Sequence, residues 1–131
     1  MKKTIKGVLI DAHNRKVRAV EVEQYHFKAM YDLIKCDCFC AYSEISDLPK
    51  GQTLWIDDEA LLKSPIVAAF EIGMHFVCGN GLLLGTNEMG ESTDAVSTVE
   101  EIEALVVWPP AGWSLPQDVQ DRMTQWTITE L

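Results

Sequence analysis

Three consecutive carboxylates, Asp57, Asp58 and Glu59, follow a short apolar run and could serve as acid and base or bind a divalent cation. Adjacent residues of a strand point to opposite faces, so the two aspartates cannot share a proton while the strand continues. A hard cation would need further oxygen ligands from elsewhere in the chain. We therefore interpret this run as a turn and helix cap that leaves carboxylates to contact a partner.

A second acidic turn follows an apolar run bounded by glycines, and its polar residues are Asn87, Glu88 and Glu91. The glycine spacing is partly that of a phosphate-binding loop. A dinucleotide fingerprint, however, needs its third glycine at Leu84 and a helix afterwards, whereas this run predicts a strand. The glycines therefore indicate tight turns and close backbone approach. The alternative is a small-molecule site at Gly79, Asn80, Gly81 and Gly85.

Cysteine and histidine are the other candidates for chemistry. Cys36, Cys38 and Cys40 come at every second residue and would share one face of a strand. Zinc knuckles need Cys-x2-Cys spacing, and the only pair with that separation is His75 with Cys78. We expect the thiols to fill the core, with no metal and no cofactor.

No histidine lies in a recognisable catalytic setting, so we do not expect an enzyme. A catalytic alternative would require a pocket that joins Asp58 or Glu88 to a histidine.

The elements that position these residues follow from periodicity. Apolar residues separated by a polar turn predict a β-hairpin near the start. A 3.6-residue period predicts a helix over residues 24–35, with an apolar stripe of Phe27, Met30, Tyr31 and Ile34. Ser97 or Thr98 with Glu100 or Glu101 forms a capping box that begins a second helix. Further strands are predicted at residues 36–41, 53–56 and 82–86, and the first two of these are expected to pair as a hairpin. Residues 66–76 fit either a strand or a helix.

These elements predict an α+β fold, with a mainly antiparallel sheet of about five or six strands and the helices packed on one face. We place the core domain at residues 1–108. Residues 109–131 are expected to form a rigid linker rich in proline and tryptophan, then a C-terminal amphipathic helix. That helix can pack on its own domain or on a partner.

The net charge of -9 and the pI near 4.6 oppose phosphate binding, so direct nucleic-acid binding is not expected. No apolar stretch approaches the roughly 20 residues that span a bilayer. We expect a soluble, cytoplasmic protein without membrane contact.

Two blocks carry a resemblance to a known group of proteins. They are Trp55-Ile56-Asp57-Asp58-Glu59-Ala60-Leu61-Leu62-Lys63 and Gly79-Asn80-Gly81-Leu82-Leu83-Leu84-Gly85-Thr86-Asn87-Glu88-Met89-Gly90-Glu91. The chain resembles a family of small uncharacterised proteins of phages, prophages and other mobile elements, over about residues 5–108. It departs from that family at Lys35 and Ala60, where glycine is expected, and in its cysteines, where the family strand is rich in threonine.

The resemblance implies a small accessory protein that acts without catalysis by binding and inhibiting a host protein, such as an anti-defence protein in the host cytosol. A second copy of the chain, forming a homodimer, is a further alternative for the partner. The expected partner-binding residues are Asp57, Asp58, Glu59, Asn87, Glu88, Glu91, Trp113 and Trp126. The alternatives are a protein that sequesters a nucleotide-like small molecule and an uncharacterised enzyme.

Overall fold

A computed structural model describes residues 3–36, 39–42, 45, 48–60, 66–73, 75–116 and 119, with the backbone alone at 39, 40 and 42. Eight strands and two helices lie in this part of the chain. They are β1 (Thr4–Asp11), β2 (Lys16–Glu23), α1 (Phe27–Ile34), β3 (Phe39–Tyr42), β4 (Gln52–Asp57), β5 (Ala69–Ile72), β6 (His75–Cys78), β7 (Gly81–Thr86), β8 (Ser92–Thr93) and α2 (Val99–Leu105).

The main sheet has the strand order β2-β1-β7-β4-β3, and every pairing in it is antiparallel. The predicted hairpin is confirmed as β1 and β2, and the predicted pairing of residues 53–56 with the preceding strand is confirmed as β4 and β3. β8 pairs with the last two residues of β7, beyond the point where β1 stops pairing with it. The fold is therefore α+β with a mostly antiparallel sheet.

Both faces of the main sheet are covered, so the expectation that the helices share one face is wrong. Val8, Leu54 and Leu83 point to one face, which α2 and the β5–β6 hairpin cover through Ile102 and Phe70. The intervening residues Ile5, Leu82 and Leu84 point to the other face, which α1 covers through Met30 and Ile34. Alternation along the strands divides the core into these two layers.

α1 is shorter than the predicted helix over residues 24–35. Tyr25 has a backbone φ of 67°, in the left-handed region, and the helix begins only at Phe27. Lys35 is also left-handed and ends the helix, with its N–H bonded to the Tyr31 carbonyl. Phe27, predicted as part of the apolar stripe, is 52% exposed.

The predicted capping box is confirmed at the start of α2. The Thr98 hydroxyl accepts a hydrogen bond from the Glu101 N–H, and the Glu101 carboxylate accepts one from the Thr98 N–H. These bonds satisfy backbone donors that have no partner inside the helix. Residues 66–76, which fitted either structure, include β5 and the first two residues of β6, and Gly73 has a φ of 58° in the turn of this hairpin.

Cys36 lies outside β3, so the expectation that Cys36, Cys38 and Cys40 share one face of a strand is wrong. Cys36 precedes β3 and is buried beside α1, Cys40 lies in β3 opposite Ile56, and Cys38 lies outside the described residues. Cys78 is buried at the end of β6. Among the described residues no group of three His, Cys, Asp or Glu side chains could hold a metal ion.

The beginning of the predicted linker packs on the β5–β6 hairpin. The Leu115 N–H donates to the Ile66 carbonyl at 2.9 Å, and Trp113 contacts the buried cluster of Ile66, Ala69 and Cys78. The predicted C-terminal helix lies, apart from residue 119, outside the described residues.

Gly85 should be intolerant of any side chain. A Cβ at this position would overlap the Asp94 carbonyl, since β8 and the residues after it cross tightly over β7. We expect Gly85→Ala to lower the free energy of unfolding by about 1–3 kcal/mol or more, as measured by urea denaturation. Gly90→Ala is the control, because its Cβ meets open space while its φ of 81° adds only backbone strain. An equal loss in the free energy of unfolding of both variants would contradict a steric overlap between the new Cβ and the Asp94 carbonyl.

Candidate functional site

The two acidic turns lie at opposite ends of the main sheet. β4 and β7 are antiparallel, with Ile56 opposite Gly81 and Gln52 opposite Gly85. Asp57 and Asp58 therefore follow β4 at the end where β7 begins, whereas Asn87 and Glu88 follow β7 at the other end. The carboxylates expected to bind a partner therefore do not lie on one surface, because antiparallel pairing separates the two turns by the length of a strand.

At the first end, Asp57 is buried and is not an exposed contact residue. Its Oδ1 accepts a hydrogen bond from the Glu59 N–H at 2.9 Å, which fits the predicted turn. Most of the helix that this turn was expected to cap lies outside the described residues. Asp58 and Glu59 are exposed.

Asn80 is the polar centre of this end and is only 1% exposed. Its Oδ1 accepts from the Ala12 N–H at 2.9 Å and the His13 N–H at 3.4 Å, and its Nδ2 donates to the Leu33 carbonyl at 3.1 Å. One side chain thus connects the β1–β2 turn to the end of α1. If the amide were reversed, its NH2 group would face the Ala12 and His13 N–H donors and its oxygen would face the Leu33 carbonyl. These partners therefore fix the orientation of the Asn80 amide.

This arrangement also fixes the tautomer of His13. The His13 Nδ1 lies 2.9 Å from Asn80 Oδ1, which can only accept, so Nδ1 carries the proton. In the neutral ring, Nε2 is then the unprotonated acceptor and faces away from Asn80. The ring is exposed, so Nε2 can meet a ligand.

Asp11 stabilises the same turn. It is buried and accepts hydrogen bonds from the Asn14 N–H at 3.2 Å and from Asn14 Nδ2 at 2.8 Å. Burial acts to raise the pKa of Asp11, but the bonds from Asn14 and the charges of Lys35 and Arg18 together hold it below the ordinary value.

A pocket of about 150 Å³ opens beside His13, and its charged lining residues are Lys35 and Asp57. A second pocket of about 250 Å³ lies on the other side of His13, against Arg15 and residues 109–113. Cys78 lines the first pocket, and burial raises the pKa of its thiol to about 11, so the thiol stays protonated at neutral pH. Neither pocket reaches the roughly 300–1,000 Å³ typical of drug-sized ligands.

The glycines divide between the two ends. Gly79 lines the smaller pocket, but Gly85 lies at the opposite end of β7. A Cβ on Gly81 would lie 2.8 Å from the Phe70 ring, so packing accounts for that glycine. The structure therefore does not bring Gly79, Asn80, Gly81 and Gly85 around one ligand.

At the second end, Asn87 organises the acidic turn. Its Oδ1 accepts from the Met89 and Glu91 N–H groups at 3.0 and 2.9 Å, and its Nδ2 donates to the Glu91 carboxylate at 3.2 Å. The hydroxyl of Tyr25 donates to the other Glu91 oxygen at 2.6 Å. The bonds from Tyr25 and Asn87 lower the pKa of Glu91, so the carboxylate is charged at neutral pH.

Trp113 packs on its own domain, with its ring edge-on to Phe76 at a centroid distance of 5.9 Å. Trp126 lies outside the described residues. The sequence interpretation missed His13, Lys35 and Tyr25, because their surroundings come from distant parts of the chain. The position of Asn80 between Gly79 and Gly81 was the one local feature of the sequence that pointed to this site.

These features define a small α+β domain with an antiparallel sheet covered on both faces, a pocket at one end and a polar turn at the other. Residues 5–106 match the family described as a domain of unknown function (DUF3846), and the chain belongs to that family. Neither the curated proteins nor the solved structures gave a match. Within the described residues, every helix is too short to cross a membrane.

Removal of the Asn80 amide should destabilise the domain strongly. Asn80→Ala would leave the buried Ala12 N–H and the Leu33 carbonyl without their partner, at about 1–3 kcal/mol for each buried group. We expect a loss of about 2–4 kcal/mol in the free energy of unfolding. Asn87→Ala is the control, since it removes three side-chain hydrogen bonds, against four for Asn80, from an exposed turn where water can replace them. A similar loss in the free energy of unfolding of both variants would contradict a stabilising role that depends on the burial of Asn80.

Asp11 should make the free energy of unfolding decrease as the pH falls in the acidic range. Because its folded pKa is below the unfolded value of about 3.9, its contribution is complete above that value and is lost as the pH falls through the folded pKa. Urea unfolding between about pH 6 and about pH 3 should show a steeper loss for the natural chain than for Asp11→Asn. If the free energy of unfolding of both chains falls in parallel between these pH values, Asp11 is not the group responsible for the pH dependence.

Proposed function

We propose that this chain is a small acidic accessory protein of a phage or another mobile element, which binds a host protein and blocks it without catalysis. The binding surface is the end of the molecule formed by the turn between β7 and β8 and by the residues around the start of α1. We call it the Tyr25 surface and define it by Tyr25, Phe27, Glu88, Met89 and Glu91. The resemblance of the two sequence blocks supports the mobile-element context.

The conformation of Tyr25 is the observation that carries the proposal. A bulky side chain at a φ of 67° is a backbone outlier, and such residues cost about 1–3 kcal/mol and gather at functional sites. Its ring is 58% exposed while its hydroxyl is held by Glu91. The chain thus accepts strain to fix an aromatic ring at the surface, which suits a preorganised contact.

Exposed apolar residues and carboxylates lie close to Tyr25 and Glu91 in the chain. Met89 is 83% exposed and Phe27 is 52% exposed, and both are within two residues of Glu91 or Tyr25 in the chain. Aromatic residues and methionine are enriched in interfaces, and tyrosine is common among the residues that dominate binding energy. Glu88 and Glu91 add negative charge at the rim.

The charge indicates the chemistry of the partner. The chain carries a net charge of -9, and the Glu91 carboxylate is ionised at neutral pH. A host protein with arginine or lysine beside an apolar patch would complement both parts of the Tyr25 surface, and arginine would also stack on the exposed ring.

Matched variants at the two ends of the sheet test the proposal. The tagged chain should recover from host lysate one protein in a stoichiometric amount relative to itself. That protein is identified by mass spectrometry and then purified for binding measurements. Met89→Ser should weaken binding about tenfold or more, as expected for an apolar residue at the centre of an interface. Glu88→Lys should also weaken binding about tenfold or more, because the new lysine would repel the basic residues of the partner.

The controls are Asp58→Lys, the same charge reversal at the other end, and Val107→Ser, an exposed apolar residue beside β5. Both should bind within about twofold of the natural chain. The proposal is wrong if no stoichiometric protein is recovered, or if Asp58→Lys weakens binding as much as Glu88→Lys. A homodimer that Glu88→Lys dissociates would instead assign the surface to a second copy of the chain.

A further inference from the structure

β2 forms one edge of the main sheet and pairs with β1 along its whole length, from Lys16 to Glu23. Within the described part of the chain, no strand pairs with the other side of β2. An edge strand of this kind presents backbone donors and acceptors to which another extended segment can bind. Four of the eight residues of β2 are exposed, which leaves this edge accessible to a partner.

The backbone of Lys6 in β1 shows which groups of β2 face outward. Its N–H donates to Asp94 Oδ1 and its carbonyl accepts from the Ala95 N–H, both at 2.8 Å. Asp94 and Ala95 follow β8, which lies on the side of β1 away from β2, so the backbone groups of Lys6 point away from β2. Glu21, which lies opposite Lys6 in β2, therefore forms no ladder hydrogen bond with it.

Alternation along the strand extends this result to the rest of β2. In an antiparallel pair, every second residue bonds to the partner strand, and the residues between them direct their backbone groups to the other side. The N–H and C=O groups of Val17, Ala19 and Glu21 are therefore directed to the open edge. Glu23 follows the same alternation, because its carbonyl accepts from the His26 N–H at 3.1 Å and not from β1. Three donors and three acceptors are thus available to an added strand.

The charged side chains of β2 are divided between its two halves and between the two faces of the sheet. Lys16 and Arg18 lie in the first half and share a face with Val22, which packs against α1. Glu21 and Glu23 lie in the second half and on the opposite face. Within the described part of the chain, no hydrogen bond or ion pair engages the side chains of Lys16 and Glu21.

This distribution of charge opposes pairing with a second copy of the chain. Two copies joined edge to edge about a two-fold axis continue each face of the sheet, so the residues that meet come from the same face. Lys16 and Arg18 of both copies would gather on one face, and Glu21 and Glu23 of both copies on the other. Like charges on neighbouring strands are destabilising. The favoured occupant is therefore a different segment, with the opposite charge on each face.

We propose that the β2 edge binds an extended segment of a partner protein as an added antiparallel strand. The first half of that segment carries basic residues opposite Glu23 and Glu21. Its second half carries acidic residues opposite Arg18 and Lys16, and apolar residues lie between the charged ones. The bonds to the outward backbone groups provide affinity, and the charges select the sequence and its direction. The proposal does not rest on the Tyr25 surface.

Hydrogen exchange in the free chain tests the orientation of the backbone groups. The amides of Ala19 and Glu21 should exchange with deuterium at least about tenfold faster than those of Arg18 and Val20, which bond to β1. The rates are measured for each residue by nuclear magnetic resonance. Equally slow exchange at Ala19 and Glu21 would show that the edge is already covered and would overturn the proposal.

Two blocked peptides of eight residues and identical composition test the charge pattern. The first, Lys-Val-Lys-Val-Val-Glu-Val-Glu, places each charge opposite its complement in β2, and the second exchanges lysine and glutamate throughout. The first peptide should bind at least about tenfold more tightly and should slow the exchange of the Ala19 and Glu21 amides. Equal binding of the two peptides, or no binding of the first at about 1 mM, would overturn the proposal.

A charge exchange within β2 should remove this preference. In the double variant Lys16→Glu, Glu21→Lys, each peptide meets two favourable and two unfavourable charges, so the two should bind within about twofold of each other. Arg18 is left in place because its charge also acts on Asp11. The control is Asp58→Lys, a charge reversal at an exposed residue beyond β4, which should keep the preference. A preference unchanged in the double variant would contradict the assigned charges.

Ala19→Pro tests the backbone contact directly. Proline removes an outward donor but no bond to β1, and edge strands tolerate it, so the variant should fold and bind the first peptide at least about fivefold more weakly. Unchanged binding by the folded variant would overturn the proposal. If the variant does not fold, the comparison of the two peptides decides the outcome. A homodimer of the natural chain that the folded variant dissociates would assign the edge to a second copy and overturn the proposal.

Discussion

The hydrogen bonds of the buried Asn80 amide are the constraint on which one end of this molecule depends. They join the turn after β1, the last turn of α1 and the start of β7, which are otherwise far apart in sequence. A buried amide is favourable only when its donors and acceptors are matched, so the three segments have one compatible arrangement. The position of His13 follows from that arrangement.

Gln52 has the corresponding role at the other end of the sheet. It is buried, its Oε1 accepts from the Val96 and Ser97 N–H groups, and its Nε2 donates to the Ser97 hydroxyl. These bonds fix the residues that lead into α2. The apolar layers set the general packing, while the two amides specify where the connecting segments lie on it.

The sequence predicted local features well because their causes are local. The β1–β2 turn and the Thr98 capping box depend on residues within a few positions of each other. The two-sided covering of the sheet was missed, although the unbroken run of Leu82, Leu83 and Leu84 indicates a strand buried on both faces. The site was not predictable, since Asn80 acts on residues 67 and 68 positions away and the acidic turns were separated by strand pairing.

The position of β7 has a consequence for how the chain acquires its structure. β7 is the central strand, yet it follows β1, β2, β3 and β4 in sequence. In the described part of the chain, β7 is the strand that pairs with both earlier hairpins. We therefore expect the two hairpins to stay unjoined during synthesis until residues 81–86 leave the ribosome, with apolar faces exposed that favour aggregation and chaperone binding.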